Sequence, residues 1–145
     1  MAVITDIAEA VKDELNAPGA PGFSLAFEAE RHYQPVFELA DMKTLHVTVV
    51  PKGVTIHPAG RGLVQHDYSI DIAVQKKFSE GDAPELDPLM SLAEEITDFF
   101  RKRRPAPVPN AVCLKIENEP VFAAEHMSEF RQFTSIITLT FRVMR

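Results

Sequence analysis

Two long stretches in which apolar and polar side chains alternate constrain this chain more than any other feature. From Leu63 to Lys77, Val64, Tyr68, Ile70, Ile72 and Val74 share one parity, and Gln65, Asp67, Ser69, Asp71 and Gln75 share the other. Near the C-terminal end Phe133, Ile137, Leu139, Phe141 and Val143 alternate with Gln132, Thr134, Thr138, Thr140 and Arg142. A period of two is that of a strand with one covered face. Each stretch runs about 14 residues, roughly 45 Å at ~3.3 Å per residue, against ~5–6 residues for an ordinary strand. A small domain cannot cover so much strand with its own helices. Either the strands bend at bulges, or part of each overhangs the core as a β-arm whose unpaired edge invites a neighbour.

The remaining segments supply two helices and shorter strands. Ile4, Ile7, Ala8, Val11 and Leu15 recur at helical spacing, opposite Asp6, Glu9, Lys12, Asp13 and Glu14. Thr5 is the expected N-cap, and Asn16 with Pro18, Gly19, Pro21 and Gly22 stops the helix. Phe23, Leu25, Phe27 and Ala29 then alternate with Ser24, Ala26, Glu28 and Glu30, which predicts a strand. An irregular stretch over 32–42 offers Val36, Phe37 and Leu39 as anchors. Thr44 to Val50 reads as a strand, Pro51-Lys52-Gly53 as a turn, and Val54 to His57 as a further short strand before a loop with Pro58, Gly60 and Gly62. A second helix is expected to begin at Asp87 as N-cap with Pro88 at N1, its apolar stripe being Leu89, Leu92, Ala93, Ile96, Phe99 and Phe100. Pro105, Pro107 and Pro109 follow it. Ala111 to Ile116 is a strand, 121–124 a brief pairing and 125–129 a bend.

Two helices cannot cover both faces of so large a sheet. The expectation is an α+β fold, a mostly antiparallel sheet with both helices packed on one face, in the order α-β-β-β-β-α-β-β. At 145 residues the chain is one domain, 1–145. Cys113 is the only cysteine, so no internal disulfide forms. The start, Met1-Ala2-Val3-Ile4-Thr5-Asp6, has no basic region preceding a continuous apolar run, and no segment reaches the ~18 apolar residues of a membrane span. The chain reads as cytoplasmic, with no membrane partner.

No catalytic, cofactor or metal constellation emerges. His32, His46, His57, His66 and His126 are scattered without metal-ligand spacing. There is no G-x-S-x-G, and Cys113 sits in mid-strand between Val112 and Leu114, where a buried, inert thiol is expected. Gly60-Arg61-Gly62 lacks both the spacing and the following helix of a phosphate cradle. Asp67 and Asp71 share a strand face and read as solvated acids. A formal charge of −6 opposes general nucleic-acid affinity. Charge is nevertheless polarised along the second helix, with Glu80, Asp82, Glu85 and Asp87 at its start and Arg101, Lys102, Arg103 and Arg104 at its end. The helix dipole favours both placements. Four bases exceed what it requires, which makes these eight residues the candidate interface, with a second subunit or a nucleic acid as occupant.

In order and spacing, the chain resembles the tail terminator and tail-completion proteins of long-tailed bacteriophages. The likeness runs through the opening helix (Ile4 to Leu15), the strand Thr44 to Pro51 ending in Val-Pro, and the strand Asp67-Tyr68-Ser69-Ile70-Asp71-Ile72. It continues through Leu89-Met90-Ser91-Leu92-Ala93-Glu94-Glu95-Ile96 and the closing strand Phe133 to Phe141. None of these is a catalytic motif. The resemblance implies a non-enzymatic homo-oligomer, commonly a hexameric ring, that caps the tail tube and joins it to the head. Its partners would be its own copies, the tail tube protein and a head–tail connector protein, with DNA only as passing cargo. Its location would be the bacterial host cytoplasm during assembly, then the virion tail. No residue pattern specifies six subunits. Another neck or connector subunit is the nearest alternative, and a ligand-binding or enzymatic ferredoxin-like domain a more distant one.

Overall fold

A computed structural model describes residues 2–17, 23–33, 44–79, 81–101, 111–119, 124 and 131–144. In chain order they form α1 (Val3–Asn16), β1 (Ala29–Arg31), β2 (His46–Gly60), β3 (Leu63–Lys77), α2 (Ala83–Phe100), β4 (Val112–Asn118) and β5 (Gln132–Met144). The five strands make one sheet in the order β1-β2-β3-β5-β4. β1 lies parallel to β2, and the other three pairings are antiparallel.

The class follows the sequence. Val47, Val49, Tyr68, Ile70, Ile72, Val74, Phe133, Ile137, Leu139, Phe141 and Val143 join the buried faces of α1 and α2 in one core. Those strand residues share a single sheet face, so both helices pack on it. The element order departs from the expected one: three described strands, not four, precede α2. Thr44–Val50 and Val54–His57 are parts of one strand, β2, and Pro51-Lys52-Gly53 is a register shift within it rather than a turn. The reason lies in which side of β2 the proline faces. The Val49 carbonyl accepts from the His32 backbone N–H at 3.0 Å, away from β3. Pro51 shares that outward parity, so its missing N–H removes nothing from the β2–β3 ladder.

Three further boundaries move. Of the expected 23–30 strand only Ala29 and Glu30 pair with the sheet, in β1 with Arg31. Phe23 instead packs on Phe27 and Phe99, and Glu95 of α2 accepts from the Ser24 N–H at 2.7 Å and its hydroxyl at 2.6 Å. α1 starts at Val3 with Ala2 as N-cap; Thr5 lies inside the first turn and donates its hydroxyl to the Ala2 carbonyl at 2.7 Å. α2 begins at Ala83, not after Asp87, because Asp82 and Glu85 cap it reciprocally. The Asp82 carboxylate accepts from Glu85 N–H at 3.3 Å, and the Glu85 carboxylate accepts from Ser79 N–H at 2.7 Å and Gly81 N–H at 3.2 Å. Gly81 is required there: its φ is +73°, and a Cβ would sit 2.9 Å from the Phe78 ring. Pro88 is therefore interior to α2. The readings over 34–43, 121–123 and 125–129 lie outside the described residues.

The short edge strand β1 is finished by a side chain. Asn16, the last residue of α1, donates from Nδ2 to the Ala29 carbonyl at 2.9 Å and accepts from the Ala29 N–H at Oδ1 at 2.8 Å. One amide thus supplies both bonds that a further strand would have made. Asn16→Ala should cost about 1–3 kcal/mol of unfolding free energy, the range for leaving such groups without partners. Asn16→Asp should recover only part, because a carboxylate cannot donate to the carbonyl. Urea denaturation of the three proteins measures this; an Asp variant as stable as the parent would refute the two-bond clip.

Candidate assembly surface

The long strands do overhang. β2 and β3 each span 15 residues, and β5 spans 13. At the β1 end of this sheet both faces are buried, with Thr48, Ala73, Gln75 and Thr134 covered on the side opposite the helices. Towards the β2–β3 turn, covering is lost. From Val54 to Leu63 every residue is exposed, and the chain reverses through Arg61-Gly62, with Gly60 opposite Leu63. Gly60 (φ +131°) and Gly62 (φ +72°) supply the positive φ that this tight reversal needs.

Reading across the sheet shows what the overhang exposes. Val54, Tyr68, Phe141 and Cys113 lie level in one row on the helix-bearing face, one residue from each of β2, β3, β5 and β4. Tyr68 and Phe141 are buried in the middle, whereas Val54 is 46% exposed at one end and Cys113 half-buried at the other. In the next row, Ile56 is 56% exposed beside His66 and Val143. His66 stacks on Tyr68 with ring centroids 5.9 Å apart. Among the described residues, β2 has no outer partner past the His32–Val49 bond, and β4 pairs only with β5. The outward positions of the free stretch are Pro51, Val54, Ile56 and Pro58, because Gly53, Thr55 and His57 alternate towards β3. Only Val54 and Ile56 among these carry an outward N–H.

The other face of the arm is polar and cross-linked. Asp67 lies opposite Arg142 and accepts from its Nε at 2.9 Å and its terminal nitrogen at 3.1 Å. Asp71 lies opposite Thr138 and accepts from its hydroxyl at 2.6 Å. These carboxylates are cross-strand partners, not the solvated acids expected. Register decides this, and a single strand's pattern cannot reveal it.

The sequence-selected charges are placed differently. Asp82 and Glu85 are engaged in capping α2, and Arg101, at its C-terminal end, pairs with Asp98. Glu80, Lys102, Arg103 and Arg104 lie outside the described residues. Asp87 is exposed and lines an open groove of about 490 Å³ with Met90, Ser91, Glu94, Thr97 and Asn118. The Asn118 amide donates to the Ser135 hydroxyl at 2.9 Å and the Ile136 carbonyl at 2.7 Å. Burial pushes the Cys113 thiol up to about 11, keeping it protonated at neutral pH. Among the described residues, no group of three His, Cys, Asp or Glu is placed to hold a metal ion, and no helix is long and apolar enough to cross a membrane.

The Arg142 guanidinium, hydrogen-bonded to Asp67, holds that carboxyl below the usual carboxylate range. A depressed folded-state pKa contributes stability that is present above the unfolded value of about 3.9 and lost as pH falls through the folded value. Asp67→Asn removes this contribution. Its unfolding free energy should therefore decline less steeply than the parent's between about pH 5 and about pH 2. Urea titrations across that range test the assignment, and parallel curves for the two proteins would contradict it.

Comparison with protein-family models finds no match, and comparison with curated proteins finds none either.

Proposed function

We propose that this chain is a structural assembly protein of a phage or prophage tail, a subunit of the ring that caps the tail tube and joins it to the head. The observation that carries this reading is the β2–β3 arm, held rigidly to the core at its root yet bare at its tip. A capping subunit needs a firm body and a separate surface reserved for its own copies. Val54 and Ile56 sit on that surface, and burying their exposed parts is worth about 1 kcal/mol each. Repeated around a ring, such small terms sum, so the closed assembly is stable while a single contact is weak. The order and spacing of the long alternating strands, which resemble those of tail terminator proteins, support the same reading. The partners are further copies, the tail tube protein and a head–tail connector protein, with DNA passing through and no membrane involved. Assembly takes place in the bacterial host cytoplasm, and the finished ring stays in the virion tail.

The double variant Val54→Lys/Ile56→Lys tests this. Both side chains are substantially exposed, so the melting temperature should change by no more than a few degrees, as for ordinary surface substitutions. Light scattering should find the parent as a discrete oligomer, alone or on tube ends seen by electron microscopy, and the variant as a monomer that leaves tubes uncapped. A parent that stays monomeric and never associates with tubes would refute the proposal.

A further inference from the structure

We infer that successive copies join edge to edge, the outer edge of β2 in one copy adding antiparallel to the outer edge of β4 in the next. The row Val54–Tyr68–Phe141–Cys113 then continues unbroken from subunit to subunit. This rests on the ring reading above and specifies its contact.

Four features of the sheet lead to it. First, among the described residues, β2 and β4 carry the sheet's open stretches on opposite sides, β1 covering β2 only at Val47–Val49. One copy therefore uses both edges at once, which is a head-to-tail contact rather than a self-complementary one. Second, the antiparallel pairings make β2 and β5 run one way and β3 and β4 the other. Copies related by rotation about an axis along the strands place β2 beside a neighbouring β4 in the antiparallel sense, the better-paired geometry.

Third, the levels match. Val112 is level with Thr55 through Arg142 and Asp67, and Ile116 is level with Pro51 through Leu139 and Ile70. Val112–Ile116 of β4 thus stand at the height where β2 is bare, while Glu117 and Asn118 come level with Val50 and Val49 beside the end of β1, so copies pair over Val112–Ile116 with no axial step. A contact without rise closes into a ring, whereas one with rise climbs into a filament. Fourth, the irregularities match. Each strand carries an extra residue at neighbouring levels, Lys52 in β2 and Leu114 in β4, β2 having a second, Ala59, beside its turn. Cys113 to Ile116 and Val54 to Pro51 therefore cover the same span with the same number of residues. Val54 faces Cys113, and the half-exposed Leu114 comes against Gly53, which has no side chain to obstruct it. Pro51 and Pro58 bracket the two outward donors, Val54 and Ile56, so a slipped register loses bonds. The β2 edge is narrow and selective.

Cys113 supplies a built-in reporter, since it is the only cysteine in the chain. Val54→Cys places a second thiol opposite it across the contact, where Cα atoms of an antiparallel pair lie about 5.5 Å apart, within disulfide range. Because the Cys113 thiol is held protonated, a copper–phenanthroline oxidant or a short bis-maleimide at mildly alkaline pH is used. Each subunit then carries one thiol on each edge, so non-reducing gels should show a ladder of dimers, trimers and higher species. Val54→Cys/Cys113→Ser should abolish the ladder, and Ile56→Cys, one row off, should link several-fold less. A product that stops at dimer and survives Cys113→Ser would mean β2 pairs with β2, overturning the inference. Absence of cross-links in a sample that light scattering shows to be assembled would also overturn it, while leaving the capping role intact. A parent protein that remains monomeric and uncross-linked defeats both. Circular dichroism melts of each variant confirm that the sheet is folded.

Discussion

Everything distinctive here depends on β3 being hydrogen-bonded on both sides along nearly its whole length. It pairs with β2 from Gln75 to Leu63 and with β5 from Lys77 to Gln65, without a register shift on the β5 side. A two-stranded ribbon projecting from a domain twists and frays, and is marginal by itself in water. β5 runs beside β3 almost to the hairpin turn, so the arm is a three-stranded blade for most of its height. The bidentate Asp67–Arg142 pair and the Asp71–Thr138 bond fasten that third strand on the helix-free face. Packing of Tyr68, Phe141 and Val143 fastens it on the other. Only the last turn, from Pro58 to Val64, extends past the end of β5.

The parts legible in the sequence were those set by one strand or one helix at a time. Period-two alternation in 63–77 and 132–144 located β3 and β5 closely, and the stripe Leu89, Leu92, Ala93, Ile96, Phe99, Phe100 marked the buried face of α2. What escaped depended on a partner. Pro51-Lys52-Gly53 has turn composition, yet β3 runs past it unbroken and Lys52 is accommodated as a bulge in β2. Asp87-Pro88 is a good helix start in isolation, but Asp82 with Glu85 three residues on satisfies more N–H groups and wins. Phe23, Leu25 and Phe27 alternate as a strand would, but the anchoring of Ser24 by Glu95 draws them over α2. The two-bond clip from Asn16 to Ala29 and the pairing of Asp67 with Arg142 join residues far apart in the chain, and neither leaves a local signal.

The electrostatic polarity of α2, the sequence's first suggestion of an interface, has a nearer explanation for its acidic end. Asp82 and Glu85 satisfy backbone donors at the start of the helix, where the dipole also favours negative charge. Their carboxylates are already occupied, so they offer an incoming subunit little. Among the described residues, the surface with unmet bonding capacity is the sheet edge past the His32–Val49 bond. Backbone N–H and C=O groups there are held in strand geometry at no further entropic cost, because β3 has already fixed them. That pre-organisation separates the β2 edge from a charged loop, which must be ordered on contact.

An exposed β-edge is also a hazard, since any extended segment can add to it. The same features that fix the register here limit that risk. Pro51 and Pro58 remove two of the four outward N–H groups, and the bulge at Lys52 places a change of twist at one end of the free stretch, beside Pro51. An incoming flat strand of arbitrary sequence finds two donors and a kink. A strand with its own extra residue at the corresponding level finds the kink complementary, and β4, interrupted at Leu114, is such a strand. In the contact we infer, discrimination rests on matched irregularity in the two edges. For that inferred contact, straightening either bulge alone would weaken the pairing of copies while making the edge more, not less, adhesive to unrelated strands.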